Sequence, residues 1–190
     1  MIRHTGDREG MTGQLIEVIA ALLKRNVRFI ICGGWAVVLH GVRRMTVDLD
    51  LSLDMDSGNL RCFLDAMQDL RLTPAVPVPP EFLLDDKMRQ FMVSEKNAAV
   101  FSFIDPDNPY RQVDVMLTEE GGYDRLYPDS VPVEIGGYTV RIASVNGLIH
   151  MKELLEHPRQ KDLQDILDLR KLSPSEWQKP AGSEMQSENA

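Results

Sequence analysis

Asp48 and Asp50 stand two residues apart in Val47-Asp48-Leu49-Asp50-Leu51-Ser52-Leu53. Read as a strand, this segment turns Leu49, Leu51 and Leu53 to one face and Asp48, Asp50 and Ser52 to the other. Two like charges about 4 Å apart repel by roughly 4 kcal/mol at an effective dielectric near 20. A strand with buried leucines gains nothing from that repulsion unless a cation or a basic partner offsets it. Mg²⁺ favours carboxylate oxygens together with substrate phosphates over a closed protein cage. A two-metal phosphoryl-transfer site needs carboxylates that clamp both ions. The plainer alternative is an exposed strand face of solvated acids, paired to Arg43 or Arg44.

Upstream, Gly33-Gly34 separates a β-branched and aromatic run, residues 27–32, from a short helical stretch, residues 35–40, that Gly41 ends. Backbone N–H groups at such a turn approach a phosphate closely, and the helix start adds its positive end. A glycine pair is also an ordinary tight turn. The ordered combination is rarer than its parts: strand, double glycine, short helix, then a strand with two acids. It sets a phosphate cradle beside a metal site.

The segment Ile31-Cys32-Gly33-Gly34-Trp35, thirteen intervening residues, then Asp48-Leu49-Asp50-Leu51 resembles the signature of polymerase β-type nucleotidyltransferases. With Arg44 and Thr46 ahead of the acids, it is similar to two branches. One is the abortive-infection toxins of bacterial toxin–antitoxin pairs, the other the lincosamide and related antibiotic nucleotidyltransferases. The resemblance implies a third carboxylate on a later strand. Asp114 in Gln112-Val113-Asp114-Val115-Met116 fits, alternating with valines, whereas Asp105 and Asp107 fall in a turn-rich stretch. It implies two Mg²⁺ ions on Asp48, Asp50 and Asp114, with an NTP, ATP foremost, as donor. Gly33, Gly34, Arg44, Thr46 and Lys152 would bind the nucleotide. A serine that many relatives carry at the second glycine is absent.

Farther on, residues 144–152 and Arg159-Gln160-Lys161-Asp162-Leu163-Gln164-Asp165 also resemble the toxin branch, with a lysine-bearing helix followed by an arginine-x-lysine-aspartate helix start. Lys152 shares a stripe with Leu148 and Leu155. Its ammonium would meet a nucleotide phosphate, or else pair with Glu156 or Asp162. Asp162 and Asp165 are expected to pair with arginines or cap N–H groups, and His150 to be structural. The implied function is transfer of NMP to an acceptor hydroxyl on RNA, a protein or a small molecule. An antitoxin is the implied partner in the toxin branch; a non-catalytic nucleotide-binding protein of the same fold is the rival reading.

These groups need a scaffold. Apolar spacing predicts helices at residues 12–25, 60–70, 81–93, 144–156 and 161–172. Strands are expected at 47–53, 98–104, 112–117, 131–135 and 138–142, the last two joined by Gly136-Gly137. Four prolines make 73–80 a loop of unassigned role. The order predicts an α/β (α+β) domain, a mixed-sheet core with flanking helices and a C-terminal helix pair, over residues 1–172; residues 173–190 read as a flexible polar tail. At 190 residues and 43% hydrophobic, the chain suits one domain. A net charge of −8 argues against general attraction to nucleic acid, leaving only the local basic cluster from Lys24 to Arg44. Cys32 and Cys62 are too few for a disulfide framework. No signal-peptide pattern or membrane-length apolar run is visible, so a cytoplasmic protein without membrane contact is expected.

Overall fold

The computed structural model describes residues 6–172; the expected polar tail lies outside them. The chain runs α1 (Gly6–Lys24), β1 (Phe29–Ile31), α2 (Gly33–Leu39), β2 (Leu49–Leu53), α3 (Ser57–Asp69) and β3 (Thr73–Pro74). It continues through α4 (Asp86–Lys96), β4 (Val100–Asp105), β5 (Asn108–Met116), α5 (Tyr123–Leu126), β6 (Val131–Ile135), β7 (Tyr138–Ile142), α6 (Val145–Glu153) and α7 (Gln160–Lys171). Seven strands form one mixed sheet in the order β3-β4-β5-β2-β1-β7-β6. β2 lies parallel to β5 and β1 parallel to β7, and the remaining neighbours are antiparallel. This is the expected mixed α/β architecture with a terminal helix pair.

Alternation separates the two faces of the sheet. Leu49 and Leu51 pair with Val113 and Val115, which pair in turn with Phe103 and Phe101. All six side chains are buried, and Phe63 of α3 meets Phe103 edge-on at 5.5 Å between centroids. Apolar burial on this face stabilises the domain. α3 begins three residues before the expected 60, where Asp56 caps it by accepting the N–H groups of Gly58 and Asn59. On the other face stand Asp50, Ser52 and Asp114, under α2, α6 and the loop after β5.

Several boundaries differ from those expected. β2 starts at Leu49, so Asp48 sits on the bend that enters the strand. The proline-rich stretch supplies β3, where Thr73 and Pro74 pair with Ile104 and Phe103 at the sheet edge, a position where a missing N–H is tolerated. Residues 81–93 divide into a 3₁₀ turn, Pro80–Leu84, and α4, because Asp85 leaves helical geometry to cap Lys87 and Met88. β5 reaches back to Asn108, leaving a tight turn in place of the longer connection expected between 104 and 112. Among the described residues no helix is long and apolar enough to cross a membrane.

Candidate active site

β2 and β5 bring the acids together. Asp50 and Asp114 are direct partners on one rung of the parallel pair, so their side chains share a face on strands about 4.8 Å apart. Asp114 is buried at 7% exposure, and its Oδ1 accepts a hydrogen bond of 2.9 Å from Gln112 Nε2. Asp50 Oδ2 accepts the N–H of Gly34 at 3.2 Å. Asp48 is half-buried just ahead of them. Burial, then the charge of Asp114 and in smaller part that of Asp48, raises Asp50 to about 6 against the opposing Gly34 N–H and Lys152. The rung therefore holds more negative charge than its own partners balance.

The glycine turn fits these side chains closely. Gly33 has φ +56°, and a Cβ there would stand 1.8 Å from Asp50 Oδ2. A Cβ on Gly34 would stand 2.2 Å from Thr46 Oγ1 and 3.0 Å from Arg44 Nη2. The double glycine thus lets α2 start directly against Asp50, and lets Thr46 and Arg44 close in from the loop before β2. One of the two N–H groups expected to face phosphate is occupied by Asp50. Cys32 precedes the turn, fully buried; burial and the Asp50 charge push its thiol well up, so it stays protonated.

Lys152 and Arg44 belong to a second charge cluster. Lys152 is buried and reaches Asp162 at 2.9 Å and Asp165 at 2.8 Å. Arg44 Nη1 also donates to Asp165. Arg159, exposed at the start of α7, donates to Asp162 through Nε at 2.9 Å, while Asp162 Oδ2 accepts the Arg159 N–H. Burial works to raise Asp162, but the hydrogen bonds from Arg159 and Lys152 outweigh it and hold the group well below the usual carboxylate range. Of the partners open to Lys152, the fold supplies Asp162, and adds Asp165. Three cations meet two anions here, and the surplus positive charge acts on Asp50 through Lys152.

Three features escaped the sequence reading. Gln112 lies two residues before Asp114 on the same strand face, a position that alternation alone would have singled out. Ser52, on the acid face, is fully buried and donates to Gly121 O at 2.5 Å. That carbonyl belongs to a short turn, Glu119–Gly121, which has no local pattern. His150 lies against Arg125. Trp35 packs partly buried on the core and also walls a shallow recess with Val47, Leu49 and Gln112.

The carboxylate rung suits a hard divalent cation. Among the described residues no three His, Cys, Asp or Glu groups converge as a ready-made cage. A half-buried and a buried carboxylate, Asp50 and Asp114, on one rung with an excess of negative charge are instead a partial shell, the kind Mg²⁺ completes with water and phosphate oxygens.

No protein family and no curated protein matches the sequence itself. Solved structures do match in three dimensions. The lincosamide antibiotic adenylyltransferase LnuA, in its lincomycin-bound crystal structure, superposes with a TM-score of 0.56 at 14% identity, covering 85% of this chain and 97% of that one. The antibiotic-resistance factor ANT(2'')-Ia gives 0.56 at 16% identity, covering 88% and 87%. The fold is therefore the nucleotidyltransferase fold, which the sequence pattern implied.

Proposed function

We propose that this protein transfers a nucleoside monophosphate from an NTP, ATP foremost, to an acceptor hydroxyl, releasing pyrophosphate. The observation that carries the reading is the shared rung of Asp50 and Asp114, tied to the Gly33-Gly34 turn through the Gly34 N–H. Asp48 and Asp50 would hold two Mg²⁺ ions, and Asp114 the one nearer the acceptor. Bound there, the ions would supply charge neutralisation of the triphosphate and activation of the acceptor oxygen.

The chain's own groups then have distinct tasks. Asp114, oriented by Gln112, stands where an acceptor hydroxyl would lose its proton. Asp50 is fixed by the Gly34 N–H, so its carboxylate needs little rearrangement when a cation arrives. Gly33 and the start of α2 would offer the triphosphate backbone N–H groups at close range. Arg44 and Thr46 flank that turn, and with Lys152, whose charge reaches Asp50, they would contribute fixed donors and positive charge as negative charge spreads over the phosphoryl oxygens.

For the acceptor, the helix-pair pattern from Arg159 to Asp165 supports the toxin component of a bacterial toxin–antitoxin pair. The similarity in fold and size to LnuA and ANT(2'')-Ia supports the second reading, a small hydroxylated antibiotic. One experiment separates them: each labelled NTP is incubated with Mg²⁺, protein and either cell extract or a panel of hydroxylated antibiotics. Label in RNA or protein, with growth arrest on expression, supports the toxin. Label only in a drug supports resistance. Pyrophosphate release in none of these mixtures, with any NTP, would sink the proposal.

A further inference from the structure

Asp165 occupies an unusual place. It is 3% exposed, lies on α7, and its Oδ2 accepts both Lys152 Nζ, from α6, and Arg44 Nη1, from the loop before β2. Arg44 spans the interval between Asp165 and the glycine turn, since its Nη2 is among the nearest groups to Gly34. Gly34 in turn holds Asp50. A chain of three contacts thus runs from the last helix to the acid rung.

Burying such a cluster is a poor route to stability. The desolvation of two carboxylates and an ammonium opposes their mutual attraction, and apolar replacements of the same volume commonly do as well. The cluster also uses the cations in a particular way. With Asp165 shared, Arg44 and Lys152 are both tied to one carboxylate, and Arg44 Nη2 is held beside Gly34. Fixed charges lower a barrier because they need no reorganisation as the reaction proceeds; mobile ones bind the ground state equally well.

We infer that Asp165 is a positioning residue for nucleotidyl transfer: its single carboxylate fixes Arg44 against the Gly33-Gly34 turn and Lys152 behind the acid rung. The inference rests on the reading of the site given above. It makes an uncommon expectation. Removing Asp165 adds net positive charge near the cradle, so triphosphate binding should not weaken; what is lost is alignment. A purely structural role would instead lower the folded fraction and leave turnover per folded molecule intact.

The test uses the full chain with Asp165→Asn, which keeps the shape and removes the charge. Steady-state pyrophosphate release gives kcat and KM for NTP with Mg²⁺, normalised to active sites counted by binding of a non-hydrolysable NTP analogue. A kcat at least tenfold below wild type, with KM unchanged or lower, is the expected result. Arg44→Gln should give a similar fall, and the double variant should be no worse than the weaker single one. Should Asp165→Asn not fold, Arg44→Lys keeps the charge and loses the forked contact, and the same fall in kcat is expected. Turnover per site within twofold of wild type in the folded variant tested overturns the role of Asp165 alone. Wild-type protein that binds no NTP in the presence of Mg²⁺ overturns the site reading and the role with it.

Discussion

The acid rung and the α6–α7 cluster are built from the same side chain and behave oppositely. Asp50 shares a rung with Asp114 and has one backbone donor, and it is raised to about 6. Asp162 is buried, yet two cations donate to it and hold it low. Burial alone would push both in one direction. The difference is the count of donors, and it distinguishes a carboxylate that still has room for a cation from one already satisfied.

The sharpest way to break the comparison is to neutralise one member of each region. Asp50→Asn or Asp114→Asn should lower NMP transfer by at least about a thousandfold, the scale on which a site loses a charge that acts in the transition state. The metal-free fold should be as stable as wild type or more so, because a repulsion is removed. Transfer assays paired with thermal melts check both parts, and a variant that keeps a tenth of the activity contradicts the assignment. Asp162→Ala should do the reverse. It takes one of two carboxylates from Lys152 and leaves Asp165 to balance both Lys152 and Arg44, and should cost about 1–3 kcal/mol of stability, read from urea unfolding; no loss at all would show that the cluster is not the satisfied region described.

Gly33→Ala should follow in size. The added methyl meets Asp50 Oδ2 at 1.8 Å in a left-handed backbone, which together cost about 2–4 kcal/mol. The displaced carboxylate should also weaken Mg²⁺-dependent NTP binding, measurable by calorimetry. The smallest effect is on pH. A carboxyl raised on folding binds its proton more tightly in the native state. Metal-free stability from Asp50 is therefore highest below about 4 and declines as the pH rises through about 6, by about 2–3 kcal/mol at most. Mg²⁺ should restore it above pH 6, and Asp50→Asn should flatten the curve in that window. The Asp162 contribution has the opposite sign: it is present above about pH 4 and fades only on further acidification. Melts between pH 4 and 7.5, with and without Mg²⁺, check the sign.

Where local chemistry decided the structure, the sequence was enough. Gly136-Gly137 fixed the hairpin, and β6 and β7 fall on the expected residues. Asp56 marked the start of α3 through its cap. The alternation around Asp48, Asp50 and Asp114 assigned faces, but no local feature says that Asp50 and Asp114 are partners on one rung. That register depends on a parallel pairing across several intervening elements. The same holds for Lys152: its stripe on α6 left phosphate and carboxylate partners open, and only the packing of α7 supplied Asp162 and Asp165 together. The turn Glu119–Gly121 and α5 were missed because they are too short to show a period and are held by tertiary contacts such as Ser52 to Gly121.

The parallel join of β2 to β5 has a consequence for how the molecule comes into being. The two strands are separated by α3, β3, α4 and β4, and Asp165, which holds Arg44, arrives later still, on α7. Ring closure over so long a stretch is slow relative to forming a helix or hairpin. During synthesis Asp48, Asp50 and the glycine turn leave the ribosome well before Asp114, Lys152 and Asp165. A nascent chain thus holds an incomplete constellation until α7 has emerged, and the activity proposed above would await that helix.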